Sequence, residues 1–253
     1  MRLTFLGTGT SVGVPYIGCK CEVCTSSDPR DRRLRCSAMI ETHKTRIIID
    51  VGPDFRQQML AQEFRHIDGV LLTHIHYDHV GGMDDIRPFC KFGKVNIYAD
   101  EATTKGLAVS MPYCFGSHHY PGSPVISLHT VRPHEKIMIN EIEVMPLRVY
   151  HGKLPILGYR IGDKLVYITD MKTMSDREWK YIEGVETLVV NALRFTSHPT
   201  HQTVDEAVAF ARKAGARRTY LIHACHDIGL HEDTQRRLPE GVSLAYDGLV
   251  IDV

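Results

Sequence analysis

The chain has no surplus of charge: its 253 residues carry 30 Lys and Arg against 30 Asp and Glu, a formal net charge of zero. It lacks the electropositive field that draws a protein onto duplex nucleic acid or an anionic membrane, so any phosphate recognition has to be local. Long apolar runs are missing as well; no stretch approaches the ~18 residues that a membrane-spanning helix needs. The opening Met1-Arg2-Leu3-Thr4-Phe5-Leu6-Gly7 reads as a first strand rather than a secretion signal, and the expected location is cytoplasmic. Cysteines number only seven, an odd count that excludes a fully paired disulfide framework. At 43% apolar and 24% charged, the composition is ordinary for a globular protein, and a single domain over 1–253 is expected.

Short apolar strands punctuated by turns are expected at 3–6, 38–41, 46–50, 69–72, 95–98, 125–128, 142–149, 157–161, 165–169, 187–191 and 219–223, with a closing pair near 243–253. Helices are expected near 53–61, 82–90, 175–181 and 203–214. Sheets with helices on their outer faces bury this pattern economically, which predicts an α/β fold, a four-layer αββα sandwich. The stretch 110–124, rich in Pro and Gly and carrying Tyr113, Phe115, His118, His119 and Tyr120, reads as a loop and a candidate lid. Gly7-Thr8-Gly9-Thr10-Ser11-Val12-Gly13 is not a dinucleotide fingerprint, because the glycine spacing is wrong and Pro15 and a cysteine loop follow instead of a helix.

The densest chemistry lies directly after the apolar run Val70-Leu71-Leu72, in His74-Ile75-His76-Tyr77-Asp78-His79. A lone surface histidine is usually only a partly exposed side chain. Four ligand-type residues within one such turn are a metal site, and imidazoles with a carboxylate suit zinc, manganese, iron or nickel. The set is too large for one tetrahedral ion, so two adjacent metals are expected. Further ligands should come from later strand ends, where Tyr150-His151-Gly152, Ile168-Thr169-Asp170 and Leu221-Ile222-His223 stand out. Separately, Cys19-Lys20-Cys21-Glu22-Val23-Cys24, in a loop near 14–35, has the spacing of a single tetrahedral zinc with three thiolates and a distant fourth ligand. Cys36, Cys90, Cys114 and Cys225 read as incidental thiols.

This order of residues resembles the metallo-β-lactamase superfamily, whose hallmark is HxHxDH followed by a single His, Asp and His at later strand ends. The resemblance implies that His74, His76 and His151 hold one metal, that Asp78, His79 and His223 hold the other, and that Asp170 bridges both. Leu6-Gly7-Thr8-Gly9-Thr10-Ser11 with its following cysteines, and Leu221-Ile222-His223-Ala224-Cys225-His226, resemble more narrowly the PhnP branch, cyclic phosphodiesterases of phosphonate breakdown. In that branch Cys19, Cys21, Cys24 and His226 would bind a structural zinc. The branch also implies a histidine acting on the leaving group, His201 in Thr200-His201-Gln202-Thr203, with His198 a rival for the role.

What the resemblance implies is a hydrolase with two divalent ions, manganese or zinc, whose bridging hydroxide attacks a small phosphodiester such as a cyclic nucleotide or cyclic ribose phosphate. Asp78 would serve catalysis as a ligand rather than a base, and His201 would protonate or hydrogen-bond the departing oxygen. Tyr16, Arg87, Arg148 and Arg194 are the phosphate-binding residues to consider. Thioester or lactone hydrolysis is the first rival, because the same metals serve several bonds. Transfer-RNA processing is another, disfavoured by the neutral charge. A redox or inert module is disfavoured by the complete ligand set, with His76 retained where redox relatives carry glutamate. A homodimer is the expected assembly.

Overall fold

Successive side chains of a strand leave on opposite faces of a sheet, and in this chain many strands are apolar on both. Each sheet therefore needs cover on each side. The computed structural model describes residues 1–115 and 122–253. One sheet contains β1 (Arg2–Gly7), β2 (Ser37–Glu41), β3 (Arg46–Ile49), β4 (Gly69–Leu71), β5 (Val95–Ala99) and β6 (Ile126–Thr130). The other contains β7 (Ile137–Ile139), β8 (Ile142–His151), β9 (Leu154–Ile161), β10 (Leu165–Ile168), β11 (Thr173–Met174), β12 (Thr187–Asn191), β13 (Arg218–Ile222) and β14 (Val242–Leu244). The last strand, β15 (Val250–Asp252), returns to the first sheet and pairs antiparallel with β1. The helices are α1 (Phe55–Leu60), α2 (Tyr77–Val80), α3 (Glu101–Ser110), α4 (Pro112–Phe115), α5 (Val204–Ala214) and α6 (His231–Arg237).

Three apolar layers separate four layers of secondary structure. Between the sheets, Ile47, Ile49 and Leu71 meet Leu157, Tyr159, Tyr167 and Val189. The alternate residues Ile48, Val70 and Ile97 face outwards against Phe55 and Met59 of α1, Leu107 of α3, and Met83, Ile86 and Phe89 of a 3₁₀ stretch, Met83–Phe92. On the far side, Val166, Ile168, Leu188, Val190 and Leu221 pack against Val204, Ala207, Phe210, Ala211 and Ala214 of α5. This is the expected αββα sandwich, and truncating any one of these aliphatic side chains to alanine costs about 2–5 kcal/mol by the usual behaviour of close-packed cores.

Within each sheet a run of strands is parallel: β3 to β6 in one, and β10, β12, β13 and β14 in the other. The C-terminal ends of such strands lie side by side, which is where open α/β sheets place their ligands.

The structure corrects the expected closing pair. β14 joins the second sheet beside β13, whereas β15 joins the first beside β1. The crossing segment is held by Asp247, whose carboxylate accepts the Thr8 N–H at 2.8 Å and the Leu34 N–H at 2.6 Å. The expected loop at 110–124 is also partly helical. Ser110 ends α3 and 112–115 form α4, while His118, His119 and Tyr120 lie outside the described residues. Among the described residues no helix is long and apolar enough to cross a membrane.

Candidate metal centre

The centre begins with Asp50, directly after β3. Its buried carboxylate accepts the Thr73 N–H and the Thr73 hydroxyl, each at 2.8 Å, and lies 2.6 Å from His79 Nδ1. Thr73 Oγ1 in turn is 3.0 Å from His74 Nδ1. Since the hydroxyl proton is directed to Asp50, Thr73 Oγ1 accepts from His74. One carboxylate thus fixes the Nδ1–H tautomer of two imidazoles, directly for His79 and through Thr73 for His74, and turns both Nε2 lone pairs the other way. Burial pushes the Asp50 carboxyl above the ordinary range.

The Nε2 atoms of His79 and His223 face the acids. His79 Nε2 is 3.1 Å from Asp78 Oδ2 and 3.2 Å from Asp170 Oδ2, and His223 Nε2 is 3.1 Å from Asp170 Oδ1. His151 is oriented differently: its Nδ1 lies 2.9 Å from Asp170 O and 3.0 Å from Thr200 O, so backbone carbonyls accept its proton. Its ring centroid is 5.3 Å from that of His76, 5.9 Å from that of His74 and 4.6 Å from that of His201.

Two groups of ligand-type atoms gather within 4.8 Å: Asp78, His79, Asp170 and His223 in one, and His151, Asp170 and His201 in the other. Asp170 belongs to both. His74 and His76 flank the second group, with His74 buried and His76 on the exposed rim. His201 lies inside, its Nδ1 3.8 Å from Asp170 Oδ1.

The donor set suits divalent cations. Buried nitrogens at His74 Nε2, His79 Nε2, His223 Nε2 and His201 Nδ1 have no hydrogen-bond partner. Orphaned imidazole nitrogens converging on two carboxylates match what a metal requires, and they are costly otherwise. Burial opposes the charged ring of His79, yet the carboxylates of Asp170 and Asp50 hold its pKa well above the usual value, and Asp170 together with Asp78 brings that of His223 up to about 9. Burial, seconded by the charge of His223, pushes His201 down to about 3.

Backbone conformation is equally particular here. Asp50, Asp170 and His223 have φ of 59°, 57° and 60°, a left-handed conformation at the end of three strands. Non-glycine residues in this region store roughly 1–3 kcal/mol each and collect at functional sites.

The second cluster lies in the cysteine loop. Cys19, Cys21, Cys24 and His226 place their ligand atoms within 4.8 Å of one another. His226 Nδ1 is 3.6 Å from Cys19 Sγ and 3.4 Å from Cys21 Sγ. Backbone N–H groups of Tyr16, Cys21 and Cys24 donate to Cys24, Cys19 and Cys21 sulfur at 3.3, 3.5 and 3.5 Å, a pattern that stabilises thiolate. The backbone bond from Cys24, followed by His226, lowers Cys21 to about 6, whereas burial pushes Cys24 up to about 11. Three sulfurs and one imidazole fit a closed tetrahedral zinc site. The Tyr16 ring stacks on His226 at 5.8 Å.

The glycine turn after β1 holds this loop against the fold. A Cβ at Gly7 would lie 2.0 Å from Arg35 O and one at Gly9 2.8 Å from Arg33 O, so only glycine permits the approach. The arginines considered for phosphate have partners: Arg87 with Asp84 at 2.7 Å, Arg148 with Asp100 at 3.3 Å and Arg194 with Asp227 at 3.2 Å. Asp50 and Thr73, which organise the histidines, escape the sequence reading. The one available signal was that Asp50 ends a buried strand, as Asp170 does.

A β-lactamase superfamily domain model matches residues 45–224. A crystal structure described as a new diphosphatase from the PhnP family is 41% identical with a TM-score of 0.92, and the match covers 100% of this chain and 97% of that one. An octanoyltransferase of Porphyromonas gingivalis is 41% identical over 251 residues, which is 98% of this chain and 51% of the relative, so the chain spans about half that relative's length. Zinc-bound PqqB from Methylobacterium extorquens shares the fold at a TM-score of 0.83 and 18% identity, over 100% of both chains. The strand-end ligand set, the two-sheet architecture and these likenesses agree: the chain belongs to the metallo-β-lactamase superfamily of hydrolases, in its PhnP-like branch.

Proposed function

We propose that the protein is a metal-dependent phosphohydrolase that cleaves small phosphodiesters. The observation that carries this reading is the shared position of Asp170 in two adjacent ligand groups. His74, His76 and His151 would hold one divalent ion and Asp78, His79 and His223 the other, with Asp170 common to both. Two such ions, manganese or zinc, would lower the pKa of a water towards ~7, supplying a nucleophile at neutral pH, and would offset phosphoryl charge.

The chain's own residues do the rest. Asp50 and Thr73 keep the Nδ1 protons of His79 and His74 pointed away from the centre. His201, buried and depressed to about 3, is neutral at physiological pH and acts as a hydrogen-bond donor to the departing oxygen. Arg148 and Arg194 are paired with Asp100 and Asp227, so neither is a free phosphate clamp.

The 41% identical neighbour described as a diphosphatase favours a second reading, hydrolysis of a diphosphate ester by the same centre. The test is to strip the metals, titrate manganese and zinc in parallel, and follow bis(p-nitrophenyl) phosphate, a 2′,3′-cyclic nucleotide and ADP-ribose. Turnover restored by two ions per chain at the centre is the expected result. No turnover of any phosphate ester at full occupancy would overturn the reading and bring thioesters and lactones forward.

A further inference from the structure

The segment 193–204 is a closed loop. The Leu193 N–H donates to Gln202 O and the Val204 N–H to Arg194 O, both at 3.0 Å, which ties the two ends together. Leu193 O accepts the Cys225 N–H at 3.0 Å, and Thr200 O accepts His151 Nδ1 at 3.0 Å. The loop is thus anchored both beyond β13 and at the centre itself, and what it presents there is held in place.

It presents two histidines, only one of which the reaction above uses. His201 points inward to Asp170. His198 is partly exposed, with its ring centroid 5.0 Å from that of His201. The Thr200 N–H donates to His198 Nδ1 at 3.3 Å, and Thr200 Oγ1 lies at the same distance. A nitrogen that accepts a backbone N–H carries no proton, so the neutral ring bears its proton on Nε2, away from the turn. Burial, then the charges of Arg194, His151 and Lys172, lower the His198 pKa, in keeping with a neutral ring. Arg194 sets a guanidinium beside it whose Nε is buried without a hydrogen-bond partner, while its other nitrogens reach Asp227 and Ser197 O. Lys172 is engaged with Glu206 at 2.9 Å. A fixed N–H donor, one imidazole away from His201, and a neighbouring cation together offer the chemistry of a second anion-binding position.

We propose that His198, backed by Arg194, is a specificity-determining residue that receives the second phosphoryl group of a diphosphate ester while the first lies at the metal centre. This rests on the phosphohydrolase reading and narrows its substrate class to diphosphate esters. It is a recognition role, in which His198 donates through Nε2 to a non-bridging oxygen and transfers no proton.

The test uses the full-length, manganese-loaded protein and the variant His198→Asn, whose amide oxygen can still accept the Thr200 N–H but which has no donor at the Nε2 position. His198→Gln, which restores a donor further out, is the rescue variant. The readout is the ratio of kcat/KM for ADP-ribose to that for bis(p-nitrophenyl) phosphate, with the dissociation constants of pyrophosphate and orthophosphate measured by calorimetry. A roughly tenfold fall in the ratio for His198→Asn, a similar weakening of pyrophosphate relative to orthophosphate, and partial recovery in His198→Gln are expected for a lost hydrogen bond to a charged group. Equal losses on both esters would overturn the proposal, because His198 would then act at the inner position, and so would no change in either quantity. If the wild type cleaves neither ester, the phosphohydrolase reading fails by itself. Pyrophosphate affinity that still depends on His198 would then sustain the outer anion position, and affinity that does not would remove it.

Discussion

The two candidate metal clusters sit at opposite extremes of burial and are built by opposite means. At the centre, His79, Asp170 and His223 are at most 2% exposed; Asp170 and His223 follow strand ends, and His79, in α2, is oriented by the Asp50 carboxylate behind it. In the cysteine loop all four residues are partly exposed, and the sulfurs are oriented by N–H groups of the loop's own backbone. The first arrangement is prepared by the packing of two sheets and leaves side-chain nitrogens unsatisfied. The second is a short loop that His226, from just beyond β13, closes. The packing of two sheets organises the first set of side chains, whereas the loop's own backbone organises most of the second.

The sharpest way to break this contrast is Asp170→Ala, which removes the carboxylate common to both groups. Activity should fall by roughly 10³-fold or more, with loss of metal from the centre and none from the cysteine site. Metal analysis alongside turnover checks it, and retained stoichiometry at the centre would undo the shared-ligand assignment. Next in size is Asp50→Asn, which touches no ion yet should weaken metal affinity at the centre by about 10–100-fold, as loss of an orienting partner generally does. Competition with a chelator measures it.

Acidity separates the clusters by a smaller but cleaner margin. The His223 pKa is raised to about 9, so its ring is protonated at neutral pH and an incoming cation has to displace that proton. Affinity at the centre should therefore rise with pH by up to about tenfold per unit for each displaced proton, and lose the His223 contribution above about 9. Cys24, raised to about 11, keeps its proton longer, so the cysteine site should go on tightening beyond that point. Zinc affinities between those limits would expose identical slopes if the contrast is false. The smallest effect on turnover is expected from Cys21→Ser, which should cost one zinc and lower Tm, by about 2–4 °C for each kcal/mol lost in a chain of this size.

Much of the centre was legible because its candidate ligands are types that rarely crowd together: His74, His76, Asp78 and His79 within one turn, with His151, Asp170 and His223 each at or just past a strand end. Asp50 was not, since one aspartate after Arg46-Ile47-Ile48-Ile49 looks like any turn residue until the fold places it behind His79. α3 was missed for a different reason. Its sequence, Glu-Ala-Thr-Thr-Lys-Gly-Leu-Ala-Val-Ser, has little apolar periodicity and an internal glycine, and what starts it is the Asp100 side chain accepting the Thr103 N–H. The separation of β14 from β15 is a matter of which sheet each strand finds, and strand patterning holds no record of that.

The left-handed backbone at Asp50, Asp170 and His223 bears on which sequences this architecture can explore. Asparagine, aspartate and histidine are the side-chain-bearing residues that enter that conformation most readily, and glycine, which enters it freely, offers nothing to bind or orient with. Backbone geometry and coordination chemistry therefore filter for nearly the same short alphabet at these three positions. Drift there is confined to exchanges among a few polar residues, and new activities on this scaffold have to arise from the loops around the centre.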